Sequence, residues 1–388
     1  MFRHICLCIS FLVCGWVYAS DVPADSAAVA DSTEVHRNMI GKILDYFNES
    51  NTQKPEKKFD FSVIGGPHYS SDTKLGVGLV AAGIYRTDRT DSVTMPSNVS
   101  LYGDVSTVGF YLLGIRGNHI APRNRSRLDY KLYFYSFPTK FWGIGYDMGD
   151  NGANETSYKD FRFTANVNYL FRITESLYIG PGVEYNYVKG SRIEEDALWM
   201  WNGERLSTST VGAGFRVVWD SRDNLTAPTR GIMARVEQRI CPRWLGNRSP
   251  FSYTEFEGCL YNKLWKGAVL ASRVHLRLAY GTVPWSMLSS LGGSFAMRGY
   301  YDGRYRDKGE ADVTLELRQH IWRRNGVAVW VGAGNVFPSL DKVEWKHTLP
   351  NFGIGYRWEF KKNTNVRLDY GFGKSGQSGF IFNINEAF

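Results

Sequence analysis

The sequence predicts an all-β protein: a 16-stranded antiparallel transmembrane β-barrel over 59–388, preceded by a short N-terminal helical or disordered segment. Three observations predict it. The first is alternation. Phe352, Ile354, Tyr356, Trp358 and Phe360 share one parity, with Arg357 and Glu359 between them. Val366, Leu368, Tyr370 and Phe372 repeat the pattern around Arg367 and Asp369. Phe380, Phe382, Ile384 and Phe388 repeat it around Asn383 and Asn385. Successive strand residues face opposite sides, so each segment has a greasy, aromatic-rich face and a charged one. The second is that no apolar stretch accompanies them that is long enough to be a spanning helix, which needs about 20 residues. The third is repetition through most of the chain. A half-exposed soluble sheet also alternates, but so many two-faced strands need lipid outside, water or charge inside, and closure so that no backbone group is orphaned.

The elements follow in order. Residues 1–19 read as a secretory signal peptide: Arg3 is the positive region, Ile5 to Val17 the apolar one, and Val17-Tyr18-Ala19 the cleavage site. Cys6, Cys8 and Cys14 leave with it, and Phe11-Leu12-Val13 lacks the small residue that a lipoprotein site at Cys14 needs. Residues 20–58 form a periplasmic linker or short helix. Within it Val35, Met39, Ile40, Ile43, Leu44 and Phe47 recur at helical spacing. Such a helix would lie on the membrane, plug the barrel or bind a periplasmic partner through Val35–Phe47.

Sixteen candidate strands follow, at 59–66, 72–86, 97–106, 107–118, 126–136, 158–171, 175–188, 208–219, 229–240, 251–264, 266–280, 311–321, 325–334, 350–360, 364–371 and 379–387. Short connections at Arg172–Thr174, Trp265, Arg323–Arg324 and Lys361–Asn363 all follow even strands. Long ones at Phe137–Ser157, Lys189–Ser207, Gly281–Glu310 and Phe337–Leu349 all follow odd strands. Short turns on the periplasmic side and long loops outside is the barrel asymmetry, and it puts both termini in the periplasm of a Gram-negative outer membrane. Cys241 and Cys259 fall in adjacent strands at different heights, so no disulfide is expected.

Charge and chemistry narrow the function classes. The net charge of +8 is spread over inward parities and connections, as at Arg123, Arg125 and Arg127, with no basic helix or stacking motif, so nucleic acid is not expected. A polar lumen and phosphate-rich headgroups of outer-membrane lipids, lipopolysaccharide included, account for it. Catalysis finds little support, and an enzyme is not expected; the remaining catalytic alternative, a lipid-hydrolysing enzyme, would need a Ser–His pair facing lipid near the membrane surface. His275 and His320 fall on the inward parity beside Arg273, Arg277 and Arg318, and His68, His119 and His347 lie in connections without a nucleophile motif. No Cys/His cluster has zinc-ligand spacing, so no metal or cofactor is expected. Gly76 and Gly78 sit inside a strand pattern and read as close packing or barrel curvature.

Three segments go beyond a generic barrel. The long loop after the eleventh strand contains Leu291-Gly292-Gly293, Met297-Arg298-Gly299-Tyr300 and Gly303-Arg304-Tyr305-Arg306-Asp307-Lys308. A turn carries Asp220-Ser221-Arg222-Asp223-Asn224, then Pro228-Thr229-Arg230-Gly231. Near the end stand Gly334-Asn335, Arg367-Leu368-Asp369-Tyr370-Gly371 and Ala387-Phe388. Together, over Phe59 to Phe388, these resemble the bacterial surface antigen family, the barrel of the BamA/TamA superfamily of outer-membrane assembly and secretion proteins.

The resemblance implies a loop folded back into the lumen, with Arg298, Gly299 and Tyr300 as its motif and Glu316, on the inward parity beside Thr314 and Arg318, as partner of Arg298. A guanidinium offers a carboxylate bidentate geometry, which suits pinning a loop in a partly dry lumen. The family's frequent second acid is Gly332 here, a departure that weakens the case for a full lumenal charge network. Asp220, Arg222, Asp223, Asn224, Pro228 and Gly231 read as a periplasmic turn in which Asp and Asn bond back to their own backbone. Phe388 resembles the C-terminal signal by which barrel-assembly machinery recognises its substrates, with Glu386 where generic barrels carry an apolar residue. The forty or so residues before the barrel are too few for one periplasmic POTRA module of about 75. The expected function, by resemblance, is outer-membrane biogenesis, helping proteins or lipids enter or cross the membrane at a weakened seam between first and last strands. The rivals are a porin-like channel for small, anionic solutes and a membrane anchor for a periplasmic partner. A channel needs an open lumen.

Overall fold

The structure, a computed structural model, describes residues 59–70, 74–87, 94–361 and 363–388. The expected signal peptide, the 20–58 linker and its Val35–Phe47 helix lie outside the described residues. Sixteen strands make one antiparallel sheet in chain order. They are β1 (Phe59–Ser70), β2 (Lys74–Tyr85), β3 (Ser97–Ser106), β4 (Tyr111–Ile120), β5 (Ser126–Phe141), β6 (Thr156–Arg172), β7 (Leu177–Ser191), β8 (Ser207–Asp220), β9 (Gly231–Cys241), β10 (Phe251–Lys263) and β11 (Ala268–Gly281). After a hairpin of two three-residue strands, β12 (Ser289–Leu291) and β13 (Tyr305–Asp307), come β14 (Gly309–Trp322), β15 (Asn325–Phe337), β16 (Leu349–Lys361), β17 (Thr364–Phe372) and β18 (Ser378–Ile384). β18 returns beside β1, while no ladder joins the two among the described residues.

Burial is inside out relative to a soluble domain. Val77, Leu113, Val183, Val331 and Ile354 are exposed on the outer wall, whereas Glu316, Arg367 and Asp369 are fully enclosed. That inversion is what a sheet between lipid and a charged lumen requires.

Most boundaries follow the alternation, and the departures have local causes. The fourth strand starts at Tyr111, not 107, because Gly109 (φ +78°) closes a turn in which its amide donates to the Ser106 carbonyl (3.1 Å). The ninth starts at Gly231, not 229: Gly231 has φ +106°, and a Cβ there would sit 2.3 Å from the Ser221 carbonyl oxygen. The last stops at Ile384, not 387, because Asn385 (φ +70°) turns the chain out of the sheet. Strands β5 and β6 run further than expected, pairing up to Phe141 opposite Thr156. The connections after β4, β6, β8, β10, β14 and β16 gather at one end, the turn end, and the long ones at the other, the loop end. The 86–96 connection after β2 and the 221–230 connection after β8 are the exceptions to short turns at the turn end.

Candidate functional site

Glu316 and Arg318 lie two apart on β14, so both face the lumen. Arg357 of β16 and Arg367 and Asp369 of β17 face it from neighbouring strands. The β11–β14 connection folds back among them. Arg298 is 1% exposed: its Nη1 donates to Asp369 Oδ2 (2.6 Å) and its Nη2 to Glu316 Oε2. Its guanidinium lies over the Trp330 ring, 3.6 Å from the centroid. One planar cation is thus held by two carboxylates and an aromatic face.

Each acid has further donors. Arg318 Nε donates to Glu316 Oε1 (2.7 Å), while Arg357 Nη1 reaches Asp369 Oδ1 (2.6 Å) and Arg367 Nη1 reaches Asp369 Oδ2 (2.9 Å). Arg357 Nε also donates to Glu386 Oε2 (2.8 Å). The Gly332 departure therefore does not leave the network incomplete: Asp369 is the second acid on Arg298, and Glu386 is a third anion at its edge. The loop backbone is held as well. Asn351 Nδ2 donates to the Arg298 carbonyl, Asn351 Oδ1 accepts from Trp330 Nε1 (3.0 Å), and Arg367 Nη2 donates to the Ser294 carbonyl (2.8 Å).

Gly299 (φ +110°) and Tyr300 complete the motif. The Tyr300 hydroxyl donates to the Pro350 carbonyl (2.6 Å) and accepts from the Lys374 amide (2.7 Å). Its ring packs with Leu291, Met297, Tyr305, Val336 and Leu349. Towards the loop end, the short helix Tyr146–Asp150 packs beside this cluster. Lys374 Nζ binds Asp150 (2.9 Å) and the Tyr146 hydroxyl (2.5 Å), contacts that hold its ammonium above the usual lysine range. Trp201 and Trp285 add a second apolar cluster with Phe141 and Tyr158.

A second lumenal network lies on β9–β14. Arg273 Nη1 donates to Asp312 Oδ1 (2.7 Å) and its Nε to Glu257 Oε1 (2.9 Å). His275 Nδ1 is 2.8 Å from Glu310 Oε1 and 3.5 Å from Asp312 Oδ2. These three could surround a cation, a convergence that the sequence spacing did not reveal. With Arg235, Arg273 and Arg277 interleaved among the acids, an ion-pair network accounts for it. His320, expected in the lumen beside Arg318, is instead exposed at the turn end, its Nε2 2.6 Å from the Arg323 carbonyl. Cys241 and Cys259 are both buried free thiols; their ladder partners, Phe251 and Met233, lie far apart along the strands.

The turn motif is an Asp/Asn-built corner. Arg222 forks onto Asp220 through Nε (2.9 Å) and Nη2 (2.7 Å). Asp223 accepts from the Thr229 hydroxyl (2.5 Å) and from the amides of Thr229 (2.8 Å) and Arg230 (3.2 Å). Asn224 Oδ1 accepts from the amides of Thr226 and Ala227, both at 2.9 Å. Pro228 is buried. The Thr226 hydroxyl donates to the Asn363 carbonyl (2.6 Å), although β9, β10, β11, β14, β15 and β16 separate the two turns along the sheet. The motif thus reaches under the lumen.

Partial burial pushes the Asp223 carboxyl up, but its three hydrogen bonds outweigh this and leave it below the usual carboxylate range. A depressed folded-state value contributes stability above the unfolded value of 3.8 that is lost as pH falls through the folded one. Asp223→Ala should cost about 1–2 kcal/mol at neutral pH. Urea unfolding at descending pH should show the gap to wild type narrowing only below about 4.

Phe388 does not extend the lipid-facing row of Phe380 and Phe382. Beyond Asn385 the tail enters the lumen. A main-chain oxygen of Phe388 accepts from Arg318 Nη2 (2.9 Å), and Phe388 packs against the cluster of Cys259, Tyr261 and Ala271.

A loop folded into the lumen and held through one arginine is what the family resemblance implied, and a family model decides which family it is. Residues 114–388 match the Omp85 superfamily domain. The chain belongs to the Omp85 superfamily. This Omp85 chain is a bacterial outer-membrane β-barrel. Solved structures similar to it share its fold. BamA from Haemophilus ducreyi lacking POTRA domains 1–3 superposes with TM-score 0.55 at 15% identity, over 84% of this chain and 70% of that one. CdiB from Acinetobacter baumannii gives 0.52 at 14%, over 85% and 60%. CdiB from Escherichia coli gives 0.56 at 10%, over 86% and 63%, so the chain spans less than two thirds of either CdiB. No curated protein sequence is a significant match.

Proposed function

We propose that this Omp85 barrel acts without catalysis in outer-membrane biogenesis, assisting insertion or translocation of proteins or lipids, with its turn end in the periplasm. The observation that carries this reading is the loop held in the lumen: Arg298, 1% exposed, bridges Glu316 of β14 and Asp369 of β17. A porin needs free cross-section where this barrel has packed side chains. A barrel that handles membrane cargo needs a closed lumen and a wall that can part. The place where it would part is the meeting of the first and last strands, β1 and β18.

Depletion of the protein in its host, followed by quantification of outer-membrane proteins and lipids, tests this reading. The expected result is a selective loss of particular barrel proteins or an altered lipid distribution. An unchanged membrane composition counts against it. Planar-bilayer recording separates it from the porin reading: wild type should open rarely and with small amplitude, while Arg298→Ala should open more widely. A large, steady, anion-selective wild-type current that Arg298→Ala leaves unchanged would favour the porin.

A further inference from the structure

The β10–β11 and β14–β15 turns stand side by side at the turn end, because β11 pairs with β14. They are joined: the His320 amide donates to the Gly267 carbonyl (2.8 Å), and Trp265 Nε1 donates to Gln319 Oε1 (2.9 Å). The imidazole of His320 fixes the Arg323 carbonyl, and Arg323 sits at φ +50° with its guanidinium over the Trp322 ring, 4.3 Å from the centroid. The result is one ordered surface rather than two loose turns. Trp265 and Trp322 are 56% and 60% exposed on it. Around them stand Lys263, Lys266 and Arg323, all exposed, and Arg324, half-buried. None of the four cations has an ion-pair partner among the described residues, in contrast to the paired arginines of the lumen.

Unpaired cations beside exposed indoles have a specific physical meaning at this height of a barrel. Tryptophan belongs at the boundary between acyl chains and headgroups, and lysine and arginine stems run along apolar surface to place charge at phosphate level. An isolated exposed arginine is ordinary. Four cations on two hydrogen-bonded turns that also carry two exposed indoles pair positive charge with interfacial aromatic surface, the combination that suits an anionic lipid headgroup. We propose that this surface binds the headgroup of anionic glycerophospholipids of the phosphatidylglycerol class in the leaflet that meets the turn end. The acyl chains would run up the wall past Ile321 and Leu264, which are 60% and 47% exposed. The leaflet named rests on the periplasmic placement proposed above; the headgroup chemistry does not.

The experiment uses the full chain in nanodiscs holding equal amounts of phosphatidylglycerol and phosphatidylethanolamine. The protein is extracted into mild detergent, and the lipids that stay with it are quantified by mass spectrometry. Wild type should retain phosphatidylglycerol several-fold over phosphatidylethanolamine. A cation near the surface contributes at most about a fivefold attraction to an anionic headgroup, so Lys266→Gln/Arg323→Gln/Arg324→Gln should lose the several-fold preference entirely. Heat-modifiable gel mobility shows whether the variant is folded, and single Arg323→Gln serves if the triple is not. Equal retention of both lipids by wild type overturns the proposal and leaves the cations to an acidic protein. A preference that survives the triple substitution overturns it as well, since the site then lies elsewhere. Both leaflets of the nanodisc are alike, so this readout is blind to orientation. An epitope in the 142–155 loop, probed on intact cells, reads orientation separately.

Discussion

Glu316→Gln should destabilise the barrel strongly, although the change is isosteric. The carboxylate is fully enclosed, and three guanidinium groups converge on it: Arg298 Nη2, Arg318 Nε at 2.7 Å and Arg357 Nη2 at 3.7 Å. Glutamine keeps the shape but removes the anion, and its amide nitrogen must aim donors at groups that can only donate. Breaking a buried pair from one side costs about 3–5 kcal/mol because the remaining charges have no water to return to. Thermal unfolding followed by tryptophan fluorescence should show a clear drop in Tm. Asp369→Asn should behave alike, since that carboxylate accepts from Arg298, Arg357 and Arg367. Arg298→Lys should rescue little, because one ammonium cannot bridge both acids and lie flat on Trp330. If Glu316→Gln melts with wild type, the ion pairs are not what holds the loop.

Which parts of this were legible in the sequence follows from how each signal arises. Strand alternation is a local consequence of backbone geometry, so Arg357, Arg367 and Asp369 could be placed on the inward face without knowing the fold. Whom they meet could not be read so. Asp369 and Glu316 are separated by two intervening strands, and only barrel curvature brings both within reach of one guanidinium. Taking Gly332 as a gap in the network came from a position-by-position comparison along one strand. The second carboxylate on Arg298 stands instead on β17, with β16 between it and the strand of Gly332. Trp330 carried a sequence signal that went unused: it breaks the parity of Val327, Val329 and Val331, which puts an indole in a polar lumen, where it needs a cation and an acceptor.

His320 failed for the opposite reason. Its parity is that of Arg318, but a register shift between His320 and Trp322 marks the end of the ladder, where parity stops deciding exposure. Phe388 failed similarly, because the left-handed turn at Asn385 cancels the alternation that placed it with Phe380 and Phe382. Asparagine tolerates that conformation better than most residues, so the signal was present but weak.

Gly371→Ala should dislodge the loop while leaving every charge in place, which separates fit from electrostatics. An alanine Cβ at 371 would sit 2.1 Å from the Arg298 carbonyl oxygen and 2.4 Å from its carbon, both backbone atoms that cannot swing aside. The contact is reciprocal, since a Cβ on Gly299 would meet the Gly371 carbonyl carbon at 2.6 Å, and Gly299 also holds φ +110°. Relief requires the loop to rise by an ångström or more, which takes Arg298 out of hydrogen-bond range of Asp369. The loss should therefore approach that of removing the arginine, about 3 kcal/mol or more. Trypsin reads it directly, because Arg298, Arg304, Arg306 and Lys308 are cleavage sites on the loop and Arg298 and Arg306 are buried in the folded barrel. Folded wild type should resist cleavage there, and folded Gly371→Ala should be nicked between β11 and β14. Resistance equal to wild type would mean that the β17 backbone yields instead, and that the two glycines do not set how closely the loop seats.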